Sequence, residues 1–375
     1  MIQGCDKMIT PYHLKKTIQG DYRIIVISDI HGHLDRLKSL LQKVKYTPDD
    51  YLVILGDFVE KGDQVIETIH YVKMLKQNPR TFVLMGNCEW ALDALLTVPE
   101  LAHQIPKYLK RISANGCIRE VYHKLHLYDG RETMLGIQKQ IAEYLDDELK
   151  FISHLPVTLK MNQFLFVHAG IERRKDYQKS SLSSLLEMQY FLDQGHVLNE
   201  TVIVGHLPTS NYYDDHICND IIFDKKKKII CIDGGTGVKT ISQLNAFIIE
   251  NKNQQITYKQ ESVQPLPRYQ VNQNIQKKQD AIHKISFPHF EVQIQKRDDQ
   301  FTLCFQKDTS QTLWIKNEFL YQRNGKDYCL DDYTDCLLSV SKGEWVKLIG
   351  IYDQYAYVIY NNQVGWIESQ YLCMK

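Results

Sequence analysis

Five apolar runs in this chain each stop abruptly at a polar residue, and that arrangement limits the fold more than any other feature. IIVIS is followed by Asp29-x-His31, LVIL by Gly56-Asp57, FVLM by Gly86-Asn87, FLFV by His168, and VIV by Gly205-His206. Between the first three runs lie LDRLKSLLQKV and DQVIETIHYVKMLK. The first carries apolar residues at 34, 37, 40, 41 and 44, and the second carries Val65, Ile69, Val72 and Leu75, which is helical spacing. Strands that alternate with helices of this length predict βαβ units and a sheet covered on its faces. Ligands of open α/β sheets bind beyond the carboxyl ends of the strands, so these side chains are expected to converge on one rim. Glycines at 56, 86 and 205 allow close backbone approach there.

Composition narrows what such a rim could serve. Lys+Arg and Asp+Glu are 45 each, so no global field favours nucleic acid or an anionic membrane. With 43% hydrophobic residues over 375 positions, the chain can build a sizeable core and more than one domain. No apolar run approaches the roughly 18–20 residues of a membrane span. The opening MIQGCDKMITPYHLKK has neither the apolar core of a signal peptide nor Gly at position 2. Nine cysteines (5, 88, 117, 218, 231, 304, 329, 336 and 373) are scattered without C-x-x-C spacing. That pattern suits reduced thiols, and a cytoplasmic chain is expected.

Residues 90–150 read as mostly helical and polar, an insertion or cap. Strand-like runs return as QFLFVHAG, TVIVGH, KIICIDGG and QLNAFIIE, with the Lys225–Lys228 run as a solvated hairpin turn. From Asn251 to about Lys284 the composition becomes Gln/Asn/Lys-rich, and too few apolar side chains are present to anchor it on a core. Short aromatic-rich strands follow, ending in EWVKLIG, YAYVIY and VGWIESQYL, with Asn361-Asn362 as a hairpin turn. The expected division is a catalytic domain over 1–262, a linker over 263–285 and a small β domain over 286–375. Trp345, Tyr357 and Trp366 are expected on its strand faces or in its core.

Two aspartates, three histidines and an asparagine offer oxygen and imidazole donors, a mixture suited to Mn, Fe or Zn and too imidazole-rich for Ca or Mg. Two such ions bridged by a carboxylate can activate a water for in-line attack on phosphorus. Singly, an Asp or His at a strand end is a cap or turn residue; five such sites at five strand ends point to a shared centre. DIHG (29–32), GDFVEKG (56–62), GNCE (86–89), VHAG (167–170) and VGHLP (204–208) resemble, in order, the motifs of the calcineurin-like metallophosphoesterases. The similarity is greatest to the phosphoprotein phosphatase and diadenosine tetraphosphatase branch, over roughly residues 22–262.

The resemblance implies a four-layer α/β sandwich of two mixed sheets flanked by helices. It also implies two divalent metal ions, Mn foremost with Fe or Zn as alternatives. Asp29, His31 and Asp57 would hold one ion, and Asp57 would bridge to a second held by Asn87, His168 and His206. The candidate catalytic residues are Lys61, Asn87, Cys88 and Glu89. Lys61, Arg173 and Arg174 are candidates for binding the substrate. The chain departs from the family at two points. Cys88 stands where the family has a histidine regarded as the acid for the leaving group, and Glu60-Lys61-Gly62 replaces Asp-Arg-Gly, so Lys61 keeps the charge without the bidentate fork. Cys88 is then a weak acid or packing, His33 a substitute acid or a helix N-terminal residue, and Glu89 an orienting group or a helix cap. The resemblance implies a serine/threonine-type phosphoprotein phosphatase first. A nucleoside-polyphosphate anhydride hydrolase, whose leaving group needs a proton less, is the alternative, and a weakly catalytic metal-containing binding protein the third. Residues 286–375 resemble a bacterial SH3-like barrel, with a protein partner as its expected ligand and no nucleic acid or membrane.

Overall fold

The computed structural model describes residues 11–110, 115–128, 132–277 and 281–373. Two compact units emerge. The first comprises residues up to 208, 221–238 and 243–263; the second comprises 209–220, 239–242 and 264 onward.

The first unit contains two mixed sheets. One runs in the order Gln255–Val263, Leu244–Lys252, Tyr22–Ile27, Tyr51–Ile54 and Thr81–Val83. Its last three strands are parallel, as the βαβ reading requires, and Leu244–Lys252 returns antiparallel to Tyr22–Ile27. The connecting helices, Leu34–Lys43 and Val65–Lys76, bury the periodic positions seen in the sequence: Leu34, Leu37, Leu40 and Leu41 in one, Val65, Ile69, Val72 and Leu75 in the other. The second sheet has the order His13–Lys16, Thr158–Met161, Phe164–Val167, Thr201–Val204, Ile229–Cys231 and Ile222–Asp224. Its last two strands form a hairpin around Lys225–Lys228, as expected.

Both sheets feed one core. Ile24, Val26, Val53 and Leu84 from the first cluster with Phe164, Phe166, Ile203 and Ile230 from the second. These side chains are completely shielded from solvent. Each contributes roughly 1.5–3 kcal/mol of burial, which fixes the register of the strands and therefore the position of the residues at their ends. Residues 87–153 supply helices Asn87–Thr97, Ile105–Leu109, Cys117–Lys124, Met134–Tyr144 and Asp146–Ser153. The helical insertion is thus present, beginning at Asn87 itself.

The second unit is built on antiparallel strands. Trp345–Tyr352, Tyr355–Tyr360 and Gln363–Glu368 form consecutive hairpins, and Asn361-Asn362 makes the last turn with both residues at positive φ (49° and 62°). Tyr357 and Trp366 stack in the core with ring centroids 4.4 Å apart, whereas Trp345 is exposed. The segment expected as a linker is ordered differently. Arg268–Gln270 pairs with Trp345–Lys347, Lys284–Ile285 pairs with Tyr333–Thr334, and Val271 and Ile275 are buried. Its few apolar residues suffice because an added strand needs only one inward face. Residues 278–280 of that segment lie outside the described residues, as does Cys5.

The remaining eight cysteines form no disulfide, and no helix among the described residues is long and apolar enough to cross a membrane.

The second unit also buries charge. Lys239 pairs with Asp332 at 2.6 Å, Asp332 accepts from Ser210 Oγ at 3.1 Å, and Lys284 Nζ donates to the carbonyls of Ser210 and Tyr213 at 2.5 and 2.8 Å. Burial pulls the Lys284 ammonium down to about 8 from 10.5. Below that value folding must desolvate a charge. Between about pH 8 and 10.5 the folded chain releases a proton that the unfolded chain keeps, so this residue's contribution to stability rises with pH. Lys284→Met lacks that rise. The melting temperature of the wild type relative to Lys284→Met is expected to increase between about pH 7.5 and about pH 9.5; a constant or falling difference would show that Lys284 does not titrate there.

Candidate metal centre

The chain has to reverse as soon as each strand leaves the core, and it does so through left-handed backbone. Asp29, His31, Asp57 and His206 have φ of 53°, 48°, 50° and 68°. Such a conformation costs of order 1–3 kcal/mol for a non-glycine residue and persists where the surroundings over-determine it. Here the loops are stitched together by backbone bonds. Asp29 N donates to Gly56 O at 3.2 Å, His31 N to Asp57 O at 2.9 Å, Gly32 N to Phe58 O at 3.0 Å, and Gly205 N to His168 O at 2.8 Å. Gly56 has φ +98°, and a Cβ there would collide with the backbone of Gly86.

Glu89 holds the second and third loops together. Its Oε2 accepts from Asp57 N at 2.7 Å and Gly86 N at 2.8 Å, and its Oε1 from Phe58 N at 2.9 Å and Val59 N at 3.1 Å. Burial pushes this carboxyl up to about 8, against the pull of the N–H donors. Gly86 is the N-cap of helix Asn87–Thr97 and Glu89, at its third position, accepts from the Gly86 N–H, which is the helix-capping alternative for Glu89. Asn87 is the first residue of that helix.

The six expected ligands converge. Asn87 Oδ1 lies 3.0 Å from His168 Nε2 and 2.9 Å from His206 Nδ1. Asp57 Oδ1 lies 3.6 Å from His168 Nε2, and Asp57 Oδ2 lies 3.7 Å from His31 Nε2. Asp29 Oδ1 is 3.8 Å from the same His31 nitrogen, and Asp29 Oδ2 accepts from His206 N at 3.0 Å. Two donor triplets, His31/Asp57/Cys88 and Asp29/Asp57/His168, each have their atoms within 4.8 Å of one another. Asp57 belongs to both, as a bridging carboxylate should.

Protonation supports a cation here. His31 Nδ1 faces Val59 O at 3.2 Å and His168 Nδ1 faces Leu55 O at 3.0 Å, so each ring donates outward and turns the lone pair of Nε2 inward. His206 bonds the Glu187 backbone in the same sense. Burial holds His31 down at about 3 and His206 at about 4, hence neutral at pH 7. Asn87 Oδ1, His168 Nε2 and His206 Nδ1 are then three acceptors facing one another, an arrangement that a metal ion satisfies. Burial pushes Asp29 up; Asp57 is pushed the same way by burial, yet its interactions with His168, His31 and Lys61 hold it well below the carboxylate range.

Lys61 Nζ lies 3.0 Å from His31 Nε2. Burial pulls this ammonium down, but Cys88, Asp57 and Asp29 more than offset that and hold it above its ordinary value. An ion on His31 and the Lys61 ammonium cannot share one lone pair. Cys88 is buried, with Sγ 3.1 Å from Asp57 Oδ2, and burial raises its thiol well above the ordinary range. His33 points Nδ1 at His31 O, 2.7 Å away, a helix-terminal role. Arg173 donates to Gln194 O, and Arg174 pairs with Glu172 and Asp176, so neither is directed at the centre.

The sequence reading missed several groups. Asp233 follows a strand too, but its Gly-Gly successor reads as a turn; among the described residues its Oδ2 is buried without a hydrogen-bond partner, and burial followed by the Asp29 charge raises it strongly. Beside the centre a cavity of about 260 Å³ is lined by Lys61, Asn87, Cys88, Trp90, Tyr108 and Arg119 among others. The last three come from the helical insertion, whose polar sequence carries no motif.

The chain is similar to known proteins over most of its first unit. The model of the calcineurin-like phosphoesterases matches residues 22–260. A symmetrical bis(5'-nucleosyl)-tetraphosphatase of Salmonella paratyphi C is 29% identical over 154 residues, 41% of this chain and 45% of that protein, so the chain spans less than half the length of this curated relative. Among solved structures, a candidate diadenosine tetraphosphatase is 18% identical with a TM-score of 0.44, covering 67% of this chain and 98% of that one. A serine/threonine phosphatase of Saccharomyces cerevisiae is 14% identical with a TM-score of 0.42, covering 68% of this chain and 85% of that one.

Two substitutions separate ligation from scaffolding. Asp57→Asn should reduce metal content at both positions, because one carboxylate serves both donor groups; unchanged content by elemental analysis would contradict the bridge. Glu89→Gln turns an NH₂ toward two backbone N–H groups in either orientation, and should lower stability by roughly 2–4 kcal/mol in denaturant unfolding. A change below about 0.5 kcal/mol would mean that Glu89 does not hold the loops.

Proposed function

The chain belongs to the calcineurin-like phosphoesterase family, and we propose that it hydrolyses phosphoanhydrides of nucleoside polyphosphates at a centre holding two divalent ions. The observation that carries the metal-dependent part is the convergence of Asp29, His31, Asp57, Asn87, His168 and His206 around one shared carboxylate. Such ions supply Lewis acidity and an acidified water. The chain's own residues supply the rest. Asp57 and Glu89 keep the loops rigid, the outward N–H bonds of the histidines keep their ligating lone pairs inward, and Lys61 and Arg119 put positive charge on the cavity wall, where phosphate oxygens would lie.

Cys88 favours the anhydride. An alkoxide leaving from a serine or threonine ester needs a general acid, worth roughly 10²–10⁴ in rate. Here the corresponding thiol is buried, raised in pKa and hydrogen-bonded to Asp57. A nucleotide phosphate departs without that proton, and the indole of Trp90 and the ring of Tyr108 offer a wall for a flat base. The relationship to tetraphosphatases supports the same choice. A serine/threonine phosphatase, placed first by the sequence resemblance, becomes the second reading. It is favoured by the family and opposed by position 88.

We place this chemistry in residues 1–262 and in the cytoplasm, with Mn, Fe or Zn as the ions. The strands of 286–375 we read as an SH3-like module, a reading supported by their consecutive hairpins and buried Trp366, with a protein partner as its ligand.

Turnover of a panel of dinucleoside polyphosphates and phosphoserine or phosphothreonine peptides, with the protein loaded separately with each metal, tests the substrate reading. The expected kcat/KM for the best anhydride exceeds that for the best peptide by about 100-fold or more. Equal values, or a preference for peptide, would overturn it.

A further inference from the structure

At position 88 the resemblance implies an acid, and the thiol there is a weak acid or packing. Its surroundings describe a different role. The sulfur lies 3.1 Å from Asp57 Oδ2, Asp57 Oδ2 lies 3.7 Å from His31 Nε2, and all three donor atoms fall within 4.8 Å of one another. Ligand atoms held at about 2.0–2.3 Å from a common ion stand roughly 3–4.5 Å apart, so the spacing suits coordination. Cys88 is the second residue of helix Asn87–Thr97, and its N–H donates to Asp57 Oδ1 at 2.8 Å. Helix and hydrogen bond together fix the Cβ of this buried residue. A second observation points to a cation on the same side. The buried Asp233 Oδ2 has no hydrogen-bond partner among the described residues, and the charges that act on its carboxyl are those of Asp29, Lys61 and Asp57.

We propose that Cys88 is a metal ligand, completing the position formed by His31 and Asp57 and turning it toward a thiophilic ion such as Zn or ferrous iron. The proposal rests on the two-metal reading above. Coordination breaks the S–H bond and forms a sulfur–metal bond; the proton passes to solvent and no electron is transferred. The ion takes the His31 lone pair now used by Lys61, so that ammonium is released toward the cavity that Lys61 lines. A hard-ligand site without sulfur would discriminate less between Zn and Mn.

Cobalt(II) reports the ligand directly. Metal-stripped full-length protein titrated with cobalt should show a near-ultraviolet thiolate-to-cobalt charge-transfer band along with the visible d–d bands. Cys88→Ser and Cys88→Ala should lose the charge-transfer band and keep the d–d bands, and their Zn-over-Mn selectivity in competition titrations should fall by about tenfold or more. X-ray absorption of the zinc-loaded wild type should show a sulfur scatterer at about 2.3 Å, which decides the matter if both variants fail to fold. Cobalt binding without the charge-transfer band, or a band that survives in both variants, would overturn the proposal while leaving the metal centre standing. No cobalt binding by the wild type would instead overturn the two-metal reading itself.

Discussion

A single buried carboxylate, Glu89, fixes the geometry on which the rest of the centre depends. Four backbone N–H groups from two loops terminate on its two oxygens. Those loops carry Asp57, shared by both donor groups, and Asn87, which faces His168 and His206. The N–H groups are orphans of tight turns and of a helix start, and in a site closed to water each would otherwise be left unpaired at a cost of about 1–3 kcal/mol. One side chain therefore satisfies the loops and sets the distance between the two halves of the centre.

Around that clamp the centre is strained by design of its topology. The strands are held in register by a core of fully buried aliphatic and aromatic side chains, so the residues at their ends cannot relax along the strand direction. Four of the six candidate ligand residues take up left-handed backbone as a result. Histidines with outward N–H bonds, and carboxylates shifted in opposite directions by burial and charge, leave lone pairs facing inward. Such an assembly has excess acceptors and few protons. A divalent cation relieves that imbalance, which is why metal binding and the integrity of the loops belong to one account.

Much of this was legible in the sequence because burial and chemistry alternate so sharply. Asp29, Asp57, Asn87, His168 and His206 each follow an apolar run, and a polar residue at the exit of a buried strand is conspicuous. Asp233 obeys the same rule, but Gly234-Gly235 behind it signals a turn and hides the acid. Arg173 and Arg174 sit beside the His168 loop in the chain, yet Glu172 and Asp176 neutralise Arg174 locally, a pairing that adjacency in sequence cannot reveal. The 263–285 segment reads as a linker by composition; alternate inward positions such as Tyr269 and Val271 are enough for strand pairing, and composition averages over them. The edge strand His13–Lys16 escaped for the same reason, being short and half polar. Position 88 was visible as a departure, but its role depends on where the sulfur lies relative to Asp57, and that is a tertiary fact.

The central claim is that one carboxylate joins two metal positions at the strand ends. Anomalous diffraction from crystals of the full-length protein grown with Zn or Mn, collected at the edge of the added metal, tests it most directly. Two anomalous peaks should appear on either side of the Asp57 carboxylate, one beside His31 and the other among Asn87, His168 and His206. A single peak, or peaks that leave Asp57 outside coordination distance of either ion, would contradict the account.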